Sequence, residues 1–271
     1  MVEKQHLDKA ALDQILWRHI SSLPYFRGFL RAVEDRFLQE IALTEPLLDL
    51  GSGDGHFASV AFNRKPDIGL DPWVVPMREA RRREAYRMLV LGEGARIPAE
   101  DASFNTVTSI SVLEHIPDID PVIAEIARVL KPDGQFVFCV PNHRFPELLW
   151  GRQVLDKLGL KGLGAGYSRF FNQIARHAHT DSPEVWTGRL NHAGLEVEQT
   201  WDYFPPEALH VLEWGHPLGI PAWVSKKLFG KWVLVSTRWN LVIPWALTRK
   251  MLDQPRSEQG VCTYFIARRP A

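Results

Sequence analysis

Five short apolar runs between residues 47 and 142 alternate with turn signals and amphipathic stretches. They are Leu47 to Leu50, Ile68 to Asp71, and the runs that begin at Leu89, Ser103 and Gln135. Short apolar runs of this kind are typical of strands that are buried on both faces of a sheet. The alternation of strand and helix signals therefore predicts an α/β fold, in which helices cover both faces of a parallel sheet.

Residues 1–46 predict a cap of two helices in front of this sheet. Apolar residues of the second helix recur at helical spacing, whereas Arg27, Arg31, Glu34 and Asp35 lie away from that stripe. Surface arginines are common, which favours solvated positions for Arg27 and Arg31. The other interpretation is that these arginines reach into a ligand cleft.

Two segments that follow the first strands carry further structural signals. The amphipathic stretch 121–130 starts with Asp120, a favoured N-cap residue, and with Pro121, which suits the first helical position. Residues 143–190 are less regular and contain closely spaced glycines. Because this segment follows the fifth predicted strand, we expect it to form a lid on the substrate side. A further strand is predicted at 195–201.

Residues 204–259 form an insertion of unusual composition. The insertion holds five of the ten tryptophans, and residues 214–252 include lysines and arginines but no acid. Tryptophan and basic residues suit a peripheral membrane contact, because indole rings favour the headgroup level and cations favour anionic lipid. The other interpretation is that the tryptophans pack over the core and the basic side chains are solvated. Scattered apolar surface is common, which favours this second interpretation.

Charge and cysteine content narrow the function classes. The 271 residues include 32 basic and 32 acidic residues, so no net positive field favours nucleic acid. Cys139 and Cys262 lie in apolar runs, which predicts reduced core thiols and no metal site. No apolar stretch is long enough to span a bilayer, and Met1 to Lys9 lacks the apolar core of a signal peptide. We therefore expect a cytoplasmic protein, with peripheral membrane contact as the open alternative.

The turn after the first apolar run predicts a ligand site. Its pattern is Gly51-Ser52-Gly53-Asp54-Gly55, whereas a dinucleotide fingerprint needs a glycine at 56, where this chain has His. Asp49 and Asp54 crowd the place of a phosphate and would repel it. A positively charged ligand with amines and hydroxyls fits better, and S-adenosylmethionine is such a molecule. Asp71 follows at close to the spacing of about 20 residues at which an acid meets ribose hydroxyls.

The order of these features resembles the class I S-adenosylmethionine-dependent methyltransferases. The resemblance covers about residues 45–142 and includes Glu93-Gly94 after the third strand and a Leu113-Glu114-His115 motif, which is typical of small-molecule methyltransferases. It implies a doubly wound, mostly parallel, Rossmann-like sheet of seven strands. The methyltransferase core then comprises 47–203 and 260–271, and its closing strand runs antiparallel beside the strand of Cys139.

The resemblance also implies the residues that bind the cofactor. Asp49 is expected to face the ammonium group, Asp71 the ribose, and Glu93 the adenine, although the family more often has Asp at position 93. Trp73 is placed to lie against the adenine. The implied set is Asp49, Gly51, Ser52, Gly53, Gly55, Asp71, Trp73, Glu93, Gly94, Ile110 and Ser111.

Three histidines are candidates for a general base. Transfer of a methyl group from a sulfonium needs a base only when the acceptor must lose a proton. His115, His143 and His179 each follow a predicted strand or open a helix near the expected cleft. For His115 the alternative is that it only organises its loop.

The sequence thus predicts S-adenosylmethionine-dependent methyl transfer to a small-molecule or lipid-like acceptor by in-line displacement. The alternative from another class is a catalytically inactive protein that binds the cofactor and acts as a scaffold. Intact Asp49, Asp71 and glycine turn favour the enzyme, whereas His56 disfavours a nucleotide-binding oxidoreductase.

Overall fold

A seven-stranded sheet runs through the centre of the computed structural model, which describes residues 7–253 and 256–271. The strands are β1 (Leu47–Leu50), β2 (Ile68–Asp71), β3 (Met88–Leu91), β4 (Phe104–Ile110), β5 (Leu130–Pro141), β6 (Glu196–Tyr203) and β7 (Cys262–Arg268). Their order across the sheet is β3-β2-β1-β4-β5-β7-β6. Strand β7 pairs antiparallel with both β5 and β6, and the other neighbours pair parallel. The predicted fold class is confirmed, including the antiparallel closing strand, in which Tyr264 pairs with Cys139.

Strand β1 is the point where the strand order changes direction. Leu48 pairs with Ile68 of β2 on one side and with Val107 of β4 on the other. The chain first proceeds outward through β2 and β3 and then returns to the other side of β1 at β4. Ligands of open α/β sheets bind at such a switch point, beyond the carboxyl ends of the strands. The glycine turn, which follows Leu50, lies at this edge.

Helices cover both faces of the sheet. They are α1 (Lys9–Ile20), α2 (Tyr25–Leu38), α3 (His56–Ala61), α4 (Val74–Arg83), α5 (Asp120–Val129), α6 (Arg144–Glu147), α7 (Trp150–Lys157), α8 (Lys161–Ala175), α9 (Pro183–His192), α10 (Pro206–Gly215), α11 (Gly219–Phe229) and α12 (Val242–Leu252). On one face α5 and α9 bury Ile126 and Trp186 against the sheet. On the other face the cap helices α1 and α2 pack together with α10 and α12, which bury Leu209 and Leu252.

Helix α5 begins differently from the expectation. Ile119 takes the N-cap position, Asp120 lies inside the first turn, and no side chain caps the helix. The Asp120 carboxylate instead lies 3.5 Å from Nε of Arg189, which belongs to α9. The N-cap prediction was wrong by one residue, because the helix already begins at Asp120, and Pro121 remains in its first turn.

The segment 143–190 is more regular than its glycine content suggests, since it holds helices α6 to α9. The glycines allow close packing of α7 and α8. A Cβ atom on Gly151 would lie 2.6 Å from the ring of Tyr167, and one on Gly164 would collide with Asp156. Glycine therefore marks helix contact here, and the prediction of an irregular segment was wrong.

The cap contains two buried acids. Glu34 is fully buried and Asp35 is 1% exposed, although both lie away from the apolar stripe of α2. Asp35 lies 3.0 Å from Nε2 of His19 and accepts a hydrogen bond of 2.6 Å from Gln39. The acids are buried because α2 is covered on more than one side, by α1, α10 and α12. Residues 1–6 of the predicted cap lie outside the described residues.

The insertion between β6 and β7 holds α10, α11 and α12. Its Trp245 packs edge-on against Trp17 of α1, in agreement with the interpretation that the tryptophans cover the core. Trp214, Trp223 and Trp239 are 53%, 54% and 75% exposed, so for these three that interpretation is wrong. Within residues 7–253 and 256–271, no helix has the length and apolar character needed to cross a bilayer.

We expect Gly69→Ala to destabilise the fold by about 1–3 kcal/mol, the usual cost of overpacking. A Cβ atom at this position of β2 would lie 2.8 Å from the ring of Tyr86, which is buried and hydrogen-bonded to Asp49. Chemical denaturation measures the change in the free energy of unfolding.

Gly162→Ala is the matched control, because a Cβ atom at this position of α8 meets nothing within 4 Å. Alanine is favoured over glycine in a helix by about 1 kcal/mol, so this variant should be slightly more stable than the wild type. Equal stability of the two variants would contradict the packing described for Gly69.

Candidate cofactor and active site

The glycine turn adopts left-handed backbone at three positions. The φ angles of Gly51, Gly53 and Gly55 are 81°, 53° and 70°. The backbone N–H groups of Gly51 and Ser52 donate to the carbonyl of Leu70 at 2.8 and 3.1 Å, which fixes the turn to the end of β2. A side chain on Gly51 would also collide with Val112. Glycine is therefore required here both for the backbone angle and for close approach.

Asp71 joins the glycine turn to the start of α4. Its two carboxylate oxygens accept hydrogen bonds from the backbone N–H groups of Gly53, at 2.9 Å, and Trp73, at 2.8 Å. Each oxygen can accept a further hydrogen bond, because a carboxylate has about four acceptor sites. The residue is 6% exposed and lies at the carboxyl end of β2. It can thus organise the turn and still bind hydroxyl groups of a ligand.

Asp49 is buried, and both of its carboxylate oxygens are hydrogen-bonded to other side chains. It accepts hydrogen bonds from the hydroxyls of Tyr86, at 2.6 Å, and Thr108, at 2.8 Å. Burial raises the pKa of Asp49 to about 6, although these two hydrogen bonds oppose the change. Ser52 is buried beside it, and its hydroxyl has no partner within the described part of the chain. An orphaned buried hydroxyl of this kind is available to a bound ligand.

The predicted adenine-side residues follow the ends of β2 and β3 at the same edge. Trp73 takes the N-cap position of α4 and is 70% exposed. Glu93 is exposed, and its carbonyl accepts a hydrogen bond from the backbone of Arg96 in the turn after β3. A Cβ atom on Gly94 would lie 3.0 Å from Val122. The backbone N–H groups of Trp73 and of Gly92, which precedes Glu93, both donate to Asp71, the second to its carbonyl at 3.2 Å.

An ion pair of the cap closes the other end of the cleft. Arg31 donates hydrogen bonds of 2.8 Å both to Glu34 and to the carbonyl of Ile110. The hydroxyl of Ser111, which has a φ angle of 51°, donates to Glu34 at 2.5 Å. The side chain of Arg31 is only 18% exposed, so the expectation of a solvated arginine was wrong at this position. Arg27 is exposed at the mouth of the same cleft.

His56, the residue that excludes the dinucleotide pattern, is part of a buried polar chain. Its Nε2 lies 3.3 Å from Nδ1 of His19, and His19 in turn contacts Asp35. Burial, and then the nearby His19, lower the pKa of His56 to about 3. The imidazole is therefore neutral at physiological pH. This chain connects the first turn of α3 to the cap.

The cavity at the glycine turn has a volume of about 70 Å³, and its lining includes Arg27, Arg31, Asp49 and Ser52. Ligand pockets usually measure about 300–1,000 Å³, so this cavity is smaller than most of them. A larger cavity of about 900 Å³ lies at the opposite edge of the sheet, where Glu45 and other residues precede β1. The larger cavity is remote from the switch point and contains none of the predicted site residues.

The three candidate bases occupy different environments. His115 is 43% exposed, and its Nδ1–H donates to the carbonyl of Arg176 at 2.9 Å, which leaves Nε2 as the basic nitrogen. Both ring nitrogens of His179 are occupied, by the carbonyl of Ile116 and by Asp181. His143 precedes α6, and its Nδ1 is buried without a partner among the described residues. Of the three, His179 has the contacts of a loop anchor.

Glu114 is a buried titratable residue that sequence analysis named only as part of the Leu113-Glu114-His115 motif, without a role of its own. It is 2% exposed, and its Oε2 has no hydrogen-bond partner in the described ranges. Its Oε1 lies 3.8 Å from Nε2 of His115. Burial raises the pKa of Glu114 to about 8. The sequence did contain a signal for this residue, namely an acid inside the apolar stretch from Val112 to Ile116. Such an acid must either be exposed to solvent or have a shifted pKa.

We expect Glu114→Gln to change how stability depends on pH. The folded protein holds the Glu114 proton more tightly than the unfolded chain does, so this residue costs stability as pH rises from about 4.5 to about 8. The variant avoids this loss, and its advantage should grow to a few kcal/mol, since one pKa unit corresponds to about 1.4 kcal/mol. Unfolding free energies measured between pH 5 and pH 8.5 test this.

The wild type provides the control for all other titrating groups, because they are common to both proteins and cancel in the difference. Two curves that run parallel across this pH range would show that Glu114 is ionised in the folded protein.

A model of the methyltransferase domain family matches residues 22–200 of this chain. The chain is 30% identical over 139 residues to a demethylmenaquinone methyltransferase of Streptomyces griseus, covering 49% of this chain and 57% of that protein. It is 27% identical over 164 residues to a ubiquinone biosynthesis O-methyltransferase of Marinobacter nauticus, covering 56% and 64%. The chain therefore spans less than two thirds of the length of these two curated relatives.

Solved structures show the same fold. A methyltransferase of Thermotoga maritima aligns with a TM-score of 0.56 at 16% identity, covering 90% of this chain and 91% of that one. Geranyl diphosphate C-methyltransferase of Streptomyces coelicolor aligns with a TM-score of 0.53 at 14% identity, covering 87% and 78%. Because the family model matches well over half of its residues, the chain belongs to the methyltransferase domain family, as a class I S-adenosylmethionine-dependent methyltransferase.

Proposed function

We propose that this protein transfers a methyl group from S-adenosylmethionine to a small-molecule or lipid-like acceptor. The observation that carries the proposal is Asp71, a buried acid at the switch point whose oxygens hold Gly53 and Trp73 and can still bind hydroxyls. The nearby orphaned hydroxyl of Ser52 and the left-handed glycines fit the same ligand. No phosphate is needed to explain these groups.

Each end of the cleft has a role in this proposal. Asp71 accepts the ribose hydroxyls, and Trp73 and Glu93 lie beside the adenine, together with Gly94. At the other end, Arg31 meets the carboxylate of the amino-acid moiety, because a guanidinium binds carboxylates in bidentate geometry. The remaining residues line the ligand through their backbone or through water, namely Asp49, Gly51, Ser52, Gly53, Gly55, Ile110 and Ser111.

The cofactor supplies an electrophilic methyl group on a positively charged sulfur, and a thioether leaves when the methyl passes to the acceptor. The chain itself has to align the acceptor and exclude water. The position of Arg27 and Arg31 of α2 over the cavity at the glycine turn supports the exclusion of water. For an acceptor that bears a proton, Nε2 of His115 is the group we propose to remove it, with His143 as the next candidate.

A row of aromatic rings extends from His115 into the core, and its apolar character agrees with the proposed apolar or aromatic acceptor. It runs from His115 through His177, Phe145 and Phe171 to His216, with centroid distances of 5.7, 5.1, 6.0 and 4.8 Å. Most of the row belongs to the segment 143–190, which we propose acts as the substrate-side lid. The two relatives above are named for menaquinone and ubiquinone, which agrees with an acceptor of this class.

We expect Asp71→Asn to weaken the binding of S-adenosylmethionine and S-adenosylhomocysteine by roughly 10- to 100-fold. An amide cannot accept a hydrogen bond at both atoms, and loss of a charged acceptor costs about 1.5–3 kcal/mol. Isothermal titration of the purified protein measures both affinities.

Asp101→Asn makes the same chemical change at a 77% exposed carboxylate near the opposite edge of the sheet, and it should leave both affinities unchanged. In the same titration, Arg31→Gln should weaken S-adenosylhomocysteine but not methylthioadenosine, which lacks the carboxylate. No binding by the wild type would contradict the enzyme and would mean that the glycine turn is structural or needs a partner protein. Unchanged affinity of Asp71→Asn would exclude Asp71 from the site.

We expect His115→Ala to lower turnover by roughly 10²- to 10⁴-fold on a hydroxylated aromatic acceptor, the usual contribution of a general base. Affinity for S-adenosylhomocysteine should not change, because His115 lies at the acceptor side. Formation of S-adenosylhomocysteine with a panel of phenolic and quinol acceptors measures turnover. His179→Ala is the comparison variant, because it changes the neighbouring histidine that anchors the loop. Full turnover by His115→Ala would eliminate His115 as the base.

A further inference from the structure

Helix α11 is exposed along its whole length. None of its 11 residues is buried. Five large apolar side chains are between 41% and 69% exposed, namely Ile220, Trp223, Val224, Leu228 and Phe229. A helix of a globular protein normally buries an apolar stripe against the core, so this one lacks the surface that would cover it.

The exposed residues form one continuous stripe. Ile220, Trp223, Val224 and Leu228 follow the i, i+3, i+4, i+8 spacing of a single helix face. Lys227 lies on the same face, and its ammonium group is 5.1 Å from the centre of the Trp223 ring. A lysine in this position covers apolar surface with its stem and keeps its charge at the rim.

Further exposed apolar side chains lie in the segment that leads to α12 and in α12 itself. Six more large apolar side chains are 48% to 75% exposed, namely Leu234, Val235, Trp239, Val242, Ile243 and Leu247. We call the exposed apolar and basic side chains of residues 219–250 the docking face. Exposed apolar side chains in this number indicate an interaction site, because monomeric proteins rarely expose large apolar patches.

The charge of the docking face has one sign. Lys227, Lys231 and Lys250 are exposed, and in the described ranges no acid lies within ion-pair distance of them. Lys226 and Arg249 are used elsewhere, in ion pairs with Glu79 and Asp13. The unpaired lysines therefore flank exposed tryptophan and aliphatic side chains.

We propose that the docking face binds the surface of an anionic lipid bilayer. Indole rings at the headgroup level, aliphatic side chains in the acyl boundary and lysines on anionic lipid account for the whole composition of the face. A second copy of this chain would bring like charges together, and the face has no acids to compensate them. Helices α11 and α12 lie on the bilayer and not across it, since none of the described helices has the length and apolar character to span it.

The position of the face connects it to the cofactor cleft. Lys226 of α11 pairs with Glu79 of α4 at 2.7 Å, and α4 begins shortly after Asp71. A Cβ atom on Gly219, the first residue of α11, would lie 3.2 Å from the ring of Phe26 in the cap. That ring is 4.7 Å from His216, at the end of the aromatic row. This step rests on the proposed function: the methyl acceptor is then a lipid-soluble molecule that enters the active site from the bilayer.

Vesicle sedimentation at low salt tests the proposal with the protein alone. We expect binding to phosphatidylcholine vesicles that contain about 30% phosphatidylglycerol, weaker binding to phosphatidylcholine alone, and a loss of affinity as salt rises. The double variant Trp223→Ser with Leu228→Ser should partition at least about tenfold less, because two exposed apolar anchors are lost. Lys231→Glu with Lys250→Glu should weaken binding about fivefold or more for each charge.

Two matched controls separate the face from the rest of the surface. Val185→Ser removes a 45% exposed apolar side chain of α9, and Arg64→Glu reverses an exposed charge in the loop after α3. Both should bind vesicles like the wild type. Folding of every variant is checked by circular dichroism.

Three results would overturn the proposal. They are no sedimentation of the wild type at low salt, equal sedimentation of the serine double variant, and dimers without lipid that this variant abolishes. The last result would assign the face to self-association. Because sedimentation needs neither cofactor nor acceptor, failure of the docking face is distinguishable from failure of cofactor binding, which titration without vesicles measures.

Discussion

The candidate site depends on one backbone constraint, the left-handed turn that connects β1 to α3. Three glycines permit this turn, and neighbouring groups fix it: the carbonyl of Leu70 and the carboxylate of Asp71 both hold its N–H groups. Both holders belong to the end of β2. The acid proposed to bind the ribose thus also fixes the geometry of the loop, and parallel pairing of β1 with β2 places Asp71 beside the turn.

The cap contacts both the candidate site at the sheet edge and the outer surface of the protein. On its inner side, Arg31 and Glu34 contact Ile110 and Ser111, next to the Leu-Glu-His motif. On its outer side, Phe26 packs on the start of the docking face. A buried ion pair is strongly disturbed when one partner is removed, so the inner contacts resist displacement. In the two proposals above, closure over the cofactor and orientation toward the bilayer thus both depend on helix α2.

Much of the fold could be predicted from the sequence, because its information was local. The apolar runs of β1 and β2, the glycine spacing and the position of Asp71 each follow from residues next to one another. The burial of Glu34 and Asp35, the partner of Asp120 and the environment of Glu114 depend on elements distant in sequence. Glycines within 143–190 were misleading because they serve helix contact, which has the same composition as a loop.

Strand order has a consequence for synthesis of the protein. β7 lies between β5 and β6, and within the sheet β6 pairs with β7 alone. The insertion separates β6 from β7, so during translation β6 leaves the ribosome with two unpaired edges while the apolar insertion emerges behind it. Unpaired edges and exposed apolar helices are the features that chaperones engage. The nascent chain therefore exposes both features during the interval between the synthesis of β6 and that of β7.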